Sequence, residues 1–277
     1  MVVQRSVYID YVRLFVIILV VMIHAAVTYS GIGSWYYMDV TAHSMVDILP
    51  FLFFQSFTQS FSMGLLFLVG GYMVPPALDK KGPAGFLRDR LYRLGLPTLF
   101  YMLVINPFIQ YFLVGEAKQP FMNYFETYYL NGRFVGASGP LWFALALLIF
   151  SFLYAAAQGY SIFANQRNRS SPFSMEDMVK LSLLITICAF LIRLVQPIDT
   201  SILNMQLCFF AQYVVFFIIG TTAAREKLLD RVNYRLGLRC LQIALIPGVL
   251  LWWAMMFVIC EGFSANNIDA IKGGFQW

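Results

Sequence analysis

Seven apolar stretches constrain what this chain can fold into. They run over 10–30, 48–74, 94–114, 140–160, 178–196, 207–224 and 243–261, each near the roughly 17–25 residues that a helix needs to cross a hydrocarbon core. With no water in that core, the backbone must satisfy its own hydrogen bonds, and helices do so within one segment. The expected fold is therefore all-α: a polytopic integral membrane bundle of about seven transmembrane helices. Composition agrees, since 60% of the 277 residues are hydrophobic and only 12% are charged, unlike a soluble domain. The first stretch has a basic residue, Arg5, before an apolar run ending in His24-Ala25-Ala26, as a signal peptide would. Asp10 and Arg13 stand too close to that run, and further spans follow, so it reads as a retained helix. There is no repeat, low-complexity tract or soluble module, so residues 1–277 read as one domain.

Charge then sets orientation. The N-terminal segment holds Arg5 and Arg13, and the second connection holds Lys80, Lys81, Arg88, Arg90 and Arg93. Arg167, Arg169 and Lys180 fall on the same side, as do Arg225, Lys227, Arg231, Arg235 and Arg239. Only Lys118, Arg133, Arg193 and Lys272 fall at or near the other side. The positive-inside rule makes the N-terminus cytoplasmic. The net charge of +5 then records topology and needs no nucleic-acid partner.

The first helix carries the sharpest chemical signal. Ten uncharged residues separate Arg13 from His24. Eleven steps of a helix bring the two onto one face about 16 Å apart, so an Arg at one edge of a core roughly 30 Å thick puts the His near mid-depth. Asp10, three residues before Arg13, is placed to pair with it. An ionisable residue held in hydrocarbon is costly, and His24 either does chemistry there or hydrogen-bonds a neighbouring helix. A second signal is the basic segment KKGPAGFLRDRLYRLGLP. Arg90 and Arg93 are three apart and can reach one patch, where two guanidiniums grip phosphate in a way lysine does not. The same segment would also suit anionic lipid headgroups.

Other features are quieter. Trp35, Tyr36 and Tyr37 suit a lipid–water interface, and His43 has no partner spacing. The outer loop 115–139 carries Tyr124, Tyr128, Tyr129, Asn131 and Arg133, rings beside polar groups that are able to hold a sugar. Arg193 is expected to snorkel to the interface with Asp199 as partner, and Glu261 likewise. Cys188, Cys208, Cys240 and Cys260 are isolated, which indicates neither a zinc site nor a disulfide framework, and no metal is expected.

Taken together these motifs resemble the membrane acyltransferase-3 family. Asp10 and Arg13-X10-His24 resemble its Arg-X10-His motif, and Arg90-Leu91-Tyr92-Arg93 with Pro97 resembles its Arg-X-X-Arg motif. GLLFLVGGYMV (64–74) is similar to its second-helix Ser-Gly-aromatic stretch, with Gly70 in place of Ser, and GPLWFALALLIF (139–150) to its Leu-Trp-Phe helix start. The glucan succinyltransferase-like branch is nearest. The resemblance implies transfer of an acyl group from cytoplasmic acyl-CoA, acetyl- or succinyl-CoA, to a hydroxyl of an extracytoplasmic carbohydrate or other hydroxylated acceptor, in the plasma (inner) membrane. It implies His24 as general base, Asp10 and Arg13 fixing the inner end of the first helix, and Arg90 and Arg93 on the phosphates of coenzyme A. Members of the family carry further helices beyond seven, so either a shortened protein or a chain short of its C-terminal helices is expected. A transporter or flippase of a small solute or lipid-linked sugar would use the same His and Arg as a relay, but no repeat symmetry or matched interrupted helices support it.

Overall fold

The structure, a computed structural model, describes residues 7–33, 35–40, 44–115, 120–159, 174–198, 200–231 and 233–259. Among them the chain is helical, without a strand beyond one isolated bridge from Ile202 to Met205. The α-helices are α1 (Val7–Ser30), α2 (Met45–Arg90), α3 (Leu96–Phe100), α4 (Asn106–Phe112), α5 (Phe121–Leu130), α6 (Trp142–Gly159), α7 (Met175–Val195), α8 (Phe210–Glu226) and α9 (Tyr234–Ile259). Six helical stretches are long and apolar enough to cross a membrane, and one of them, Val46–Phe112, has 67 residues. At 1.5 Å per residue that is about 100 Å, far beyond one core of about 30 Å. It contains both the second and third expected spans. The chain is thus an all-α polytopic membrane protein with long helices where the apolar stretches predict them.

The last crossing begins earlier than expected: α9 starts at Tyr234, so Arg235 and Arg239 lie on its first turns rather than in a loop. Long basic side chains let a helix start beneath the headgroups, because the apolar stem stays with the helix and the charge reaches water.

Two compact units divide the chain. The first takes its residues from Met1–Leu66, Ser170–Leu184 and Leu228–Trp277. Within it, α2 and α7 each open on a Ser-X-X-Asp box. Ser44 Oγ donates to Asp47 Oδ2 at 2.7 Å, and Ser174 Oγ to Asp177 Oδ2 at 3.0 Å. The Asp47 and Asp177 amides donate back to the serine oxygens, which satisfies donors that a helix start leaves open. Gln55 of α2 reaches Ser30 of α1 at 3.0 Å, and Phe53 meets Trp252 of α9 edge-on at 5.1 Å.

The second unit takes its residues from Phe67–Arg169 and Ile185–Lys227. Its centre is Phe67, wholly buried and ringed by Trp142, Phe143, Phe150 and Tyr213 with centroids 4.8–6.5 Å away. Beside it α2 and α8 touch backbone to backbone. A Cβ on Gly220 would fall on the Leu68 carbonyl, and one on Gly71 on the Phe217 carbonyl. Gly71 is the third glycine of the 64–74 stretch, directly after Gly70, so its missing side chain is what lets the helices close. At one end of this unit Arg225 forks onto Asp79, at 2.5 and 3.0 Å, and its Nε donates to Tyr154 at 3.3 Å. Gly220→Ala is expected to destabilise the protein by about 1–3 kcal/mol, because backbone cannot move aside as a flexible side chain can. Gly248→Ala, where a Cβ meets nothing within 4 Å, should not. Thermal unfolding of the two purified variants checks the contrast.

Candidate functional site

On α1 the sequence places chemistry at both ends. Arg13 Nη2 lies 3.5 Å from Asp10 Oδ1, so the expected pairing one turn apart is present. Eleven residues further on, His24 Nδ1 sits 2.7 Å from the Val20 carbonyl. A carbonyl only accepts, so in neutral His24 the Nδ1 bears the proton and Nε2 keeps the lone pair. His24 is half-buried, and Trp35 lies against its ring with centroids 4.3 Å apart. The local sequence explains that contact. Gly31 (φ 72) ends the helix in the left-handed region, and Gly33 (φ 93) turns the chain again. The Asp39 amide then donates to the Thr28 carbonyl at 3.0 Å, which brings the connection back along the end of α1. Trp35 is therefore tied to the histidine rather than standing only as an interfacial aromatic.

The basic connection belongs to the second unit and is built around two prolines. Pro83 pushes its predecessor out of the helical region, and Gly82 takes φ 68, ψ 166, a conformation open to glycine. That break divides the 67-residue stretch into two crossings, with 75–93 as the connection between them. Pro97 has no N–H and crowds the carbonyl four residues before it. The chain answers with a π turn, Leu91–Gly95, in which the Leu96 amide bonds to Leu91 five residues back. A π turn has more residues per turn than an α-helix, so it rotates Arg93 off the face of Arg90.

The two arginines accordingly differ. Arg93 Nε donates to Asp89 at 3.0 Å, and Lys81, on the other side of the Gly82 break, reaches the same carboxylate at 2.8 Å. The hydrogen bond from Lys81, assisted by Arg93, holds the Asp89 carboxyl below the usual carboxylate range. Arg90 makes no ion pair among the described residues. Its guanidinium lies 5.1 Å from the Phe86 ring, and its Nε is buried without a hydrogen-bond partner among the described residues. Burial pushes Arg90 down from its ordinary value, although guanidinium stays charged. What sequence reading missed here is Asp89, which the i,i+4 spacing to Arg93 would have flagged.

The same proline logic accounts for the hydroxyl contacts of Tyr128 and Tyr129 in the 115–139 connection. Pro107 induces a second π turn, Tyr101–Ile105, with the Asn106 amide bonded to Tyr101. The carbonyls of Met102 and Leu103 lose their usual donors, and the hydroxyls of Tyr128 and Tyr129 on α5 supply them. Tyr124 and Tyr128 are 1% and 2% exposed, so these rings pack a helix against the π turn. Arg193 lies 5.6 Å from the Phe209 ring, while its expected partner Asp199, like His43, Cys260 and Glu261, is outside the described residues. Cys188, Cys208 and Cys240 form no disulfide among the described residues. Asp10, Arg13 and His24 fall in the first unit and Arg90 and Arg93 in the second.

Comparison with known families finds one described as an acyltransferase domain, matched over residues 6–272. No match is found among curated proteins or among solved structures.

Proposed function

Because the chain belongs to the acyltransferase-3 family, we propose that it moves an acyl group from cytoplasmic acyl-CoA, acetyl- or succinyl-CoA, to a hydroxyl of an extracytoplasmic carbohydrate. It is a membrane-embedded transferase, and in this reading an O-acyltransferase of the plasma (inner) membrane with its N-terminus in the cytoplasm. The observation that supports the reading most is the tautomer of His24. With Nδ1–H directed at the Val20 carbonyl, the base on α1 is Nε2. Nε2 takes the proton of the acceptor hydroxyl as its oxygen attacks the thioester carbonyl. The tetrahedral adduct collapses, the carbon–sulfur bond breaks, and the imidazolium returns the proton to the departing thiolate. The ester and free coenzyme A are the products. Trp35 against the ring limits its rotation and keeps water from one face.

Arg90 is the stronger candidate for a donor phosphate, since it makes no ion pair among the described residues, whereas Arg93 must leave Asp89. Asp10 and Arg13 neutralise each other at the end of α1 that the charge asymmetry assigns to the cytoplasm.

Purified protein incubated with radiolabelled acetyl- and succinyl-CoA should release free thiol and, with a hydroxylated acceptor present, labelled ester. Absence of thiol release from any acyl-CoA in a panel would overturn the donor assignment. Ser44→Cys in a cysteine-free chain should react with an impermeant thiol reagent added outside intact cells; labelling only after permeabilisation would invert the orientation.

A further inference from the structure

Polar side chains buried in a helix bundle find hydrogen-bond partners, and those that do not call for an explanation. On α2, Gln55 and Ser62 are both 0% exposed. Seven residues apart, they share one face and stand about 10.5 Å from each other along the axis. Thr58, 2% exposed, lies between them near the same face. Gln55 Nε2 donates to Ser30 Oγ at 3.0 Å, which identifies this face as the one that meets α1. Yet Gln55 Oε1 and Ser62 Oγ have no hydrogen-bond partner among the described residues. A buried helical serine can fold its hydroxyl back onto the carbonyl four residues before it, as Ser151 does on Leu147 at 2.7 Å. Ser62 does not.

The depth of the row is informative. Six residues inward from Ser30 along α1 stands His24, about 9 Å further in, and seven residues inward from Gln55 along the antiparallel α2 stands Ser62, about 10.5 Å further in. The row therefore begins at the Ser30 end of α1 and reaches the level of the histidine. It carries no charge. An amide oxygen that accepts and a hydroxyl that does both suit a neutral ligand bearing hydroxyls. An ion would enter at a high desolvation cost with no opposite charge in the row to offset it.

We infer that Gln55 and Ser62 form a binding row for a neutral, hydroxyl-rich ligand, the carbohydrate acceptor, loaded from the Ser30 end of α1. Gln55 Oε1 accepts from one ligand hydroxyl, and Ser62 Oγ exchanges a hydrogen bond with another. The identity of the ligand as acceptor rests on the acyl-transfer reading; the row and its neutral chemistry do not.

The test uses the full chain in vesicles, with Cys188, Cys208, Cys240 and Cys260 replaced by Ala and one cysteine added back. Gln55→Cys and the near-isosteric Ser62→Cys should react with a hydrophilic methanethiosulfonate, and Ile18→Cys, on an exposed apolar position, should not. The neutral probe cellopentaose should slow labelling of the row by about half at a concentration equal to its Kd, and pentagalacturonic acid should not. Failure of both row positions to react, or absence of protection by the neutral probe, overturns the inference, as does equal protection by the acidic one. Gln55→Leu should in addition raise the acceptor KM about three- to tenfold, the share of a neutral hydrogen bond or two, slowing transfer at low acceptor concentration more than at saturation. A purely packing role would move the melting temperature and both rates together. Labelling and protection do not require turnover, so an inactive enzyme with a protected row would refute the donor chemistry and leave the row standing.

Discussion

His24→Ala should lower the rate of acyl transfer by about 10²–10⁴, the usual share of general acid–base catalysis, and should leave donor binding nearly intact. The expectation follows from where the proton sits. Nδ1 is held by the Val20 carbonyl at 2.7 Å, so Nε2 alone offers a lone pair, and nothing in that arrangement touches the donor's phosphates. His24→Gln keeps a hydrogen-bonding end near the same place but has no basic nitrogen, so it should be as slow as Ala. Trp35→Ala should slow transfer by less, because it loosens the ring without removing the base. The measurements are single-turnover transfer rates and binding of a non-hydrolysable acyl-CoA analogue. Unchanged transfer in His24→Ala would remove His24 as the base, and a parallel loss of donor binding would show that it acts on the donor instead.

The second large effect separates two arginines that the motif treats alike. Arg90→Met should weaken the acyl-CoA analogue by about ten- to a hundredfold, since one charge-assisted hydrogen bond is worth roughly 1.5–3 kcal/mol. Arg93→Met should cost less, because Arg93 exchanges Asp89 for phosphate instead of gaining a new partner. Lysine at position 90 should recover only part of the loss, as an ammonium lacks the planar fork. Asp89 supplies a control with a defined sign. Its carboxyl lies below the usual carboxylate range, so its pairing with Lys81 and Arg93 contributes fully above the unfolded carboxylate value and fades as pH falls through the lowered folded one. Across neutral pH the pair is constant, and Asp89→Asn, which frees Arg93, should tighten the analogue. Equal losses at Arg90 and Arg93 with no gain in Asp89→Asn would show that the ion pair does not govern Arg93.

Much of the site was readable in advance because it lies along single helices. The Arg13 to His24 spacing, the Asp10 partner and the basic segment are all matters of helical period and side-chain charge, which act over a few residues. Trp35 against His24 was not readable, since it depends on two glycines turning a loop back along its own helix. The unequal fates of Arg90 and Arg93 were not readable either. Three apart predicts one patch on an α-helix, and Pro97 replaces that helix with a π turn.

What the sequence by itself determined is the all-α membrane class, the place of the long apolar helices and the family, because apolar run length and local motifs are properties of contiguous residues. Tertiary structure decided which polar groups are spent and which are left over. The hydroxyls of Tyr128 and Tyr129 go to carbonyls that Pro107 and its π turn release, whereas Gln55 Oε1 and Ser62 Oγ on α2 remain without a partner among the described residues. The reason is physical: a hydrogen bond needs a second group at about 3 Å, and for Tyr128, Tyr129 and Gln55 Nε2 that group stands on another helix or turn, far away in sequence.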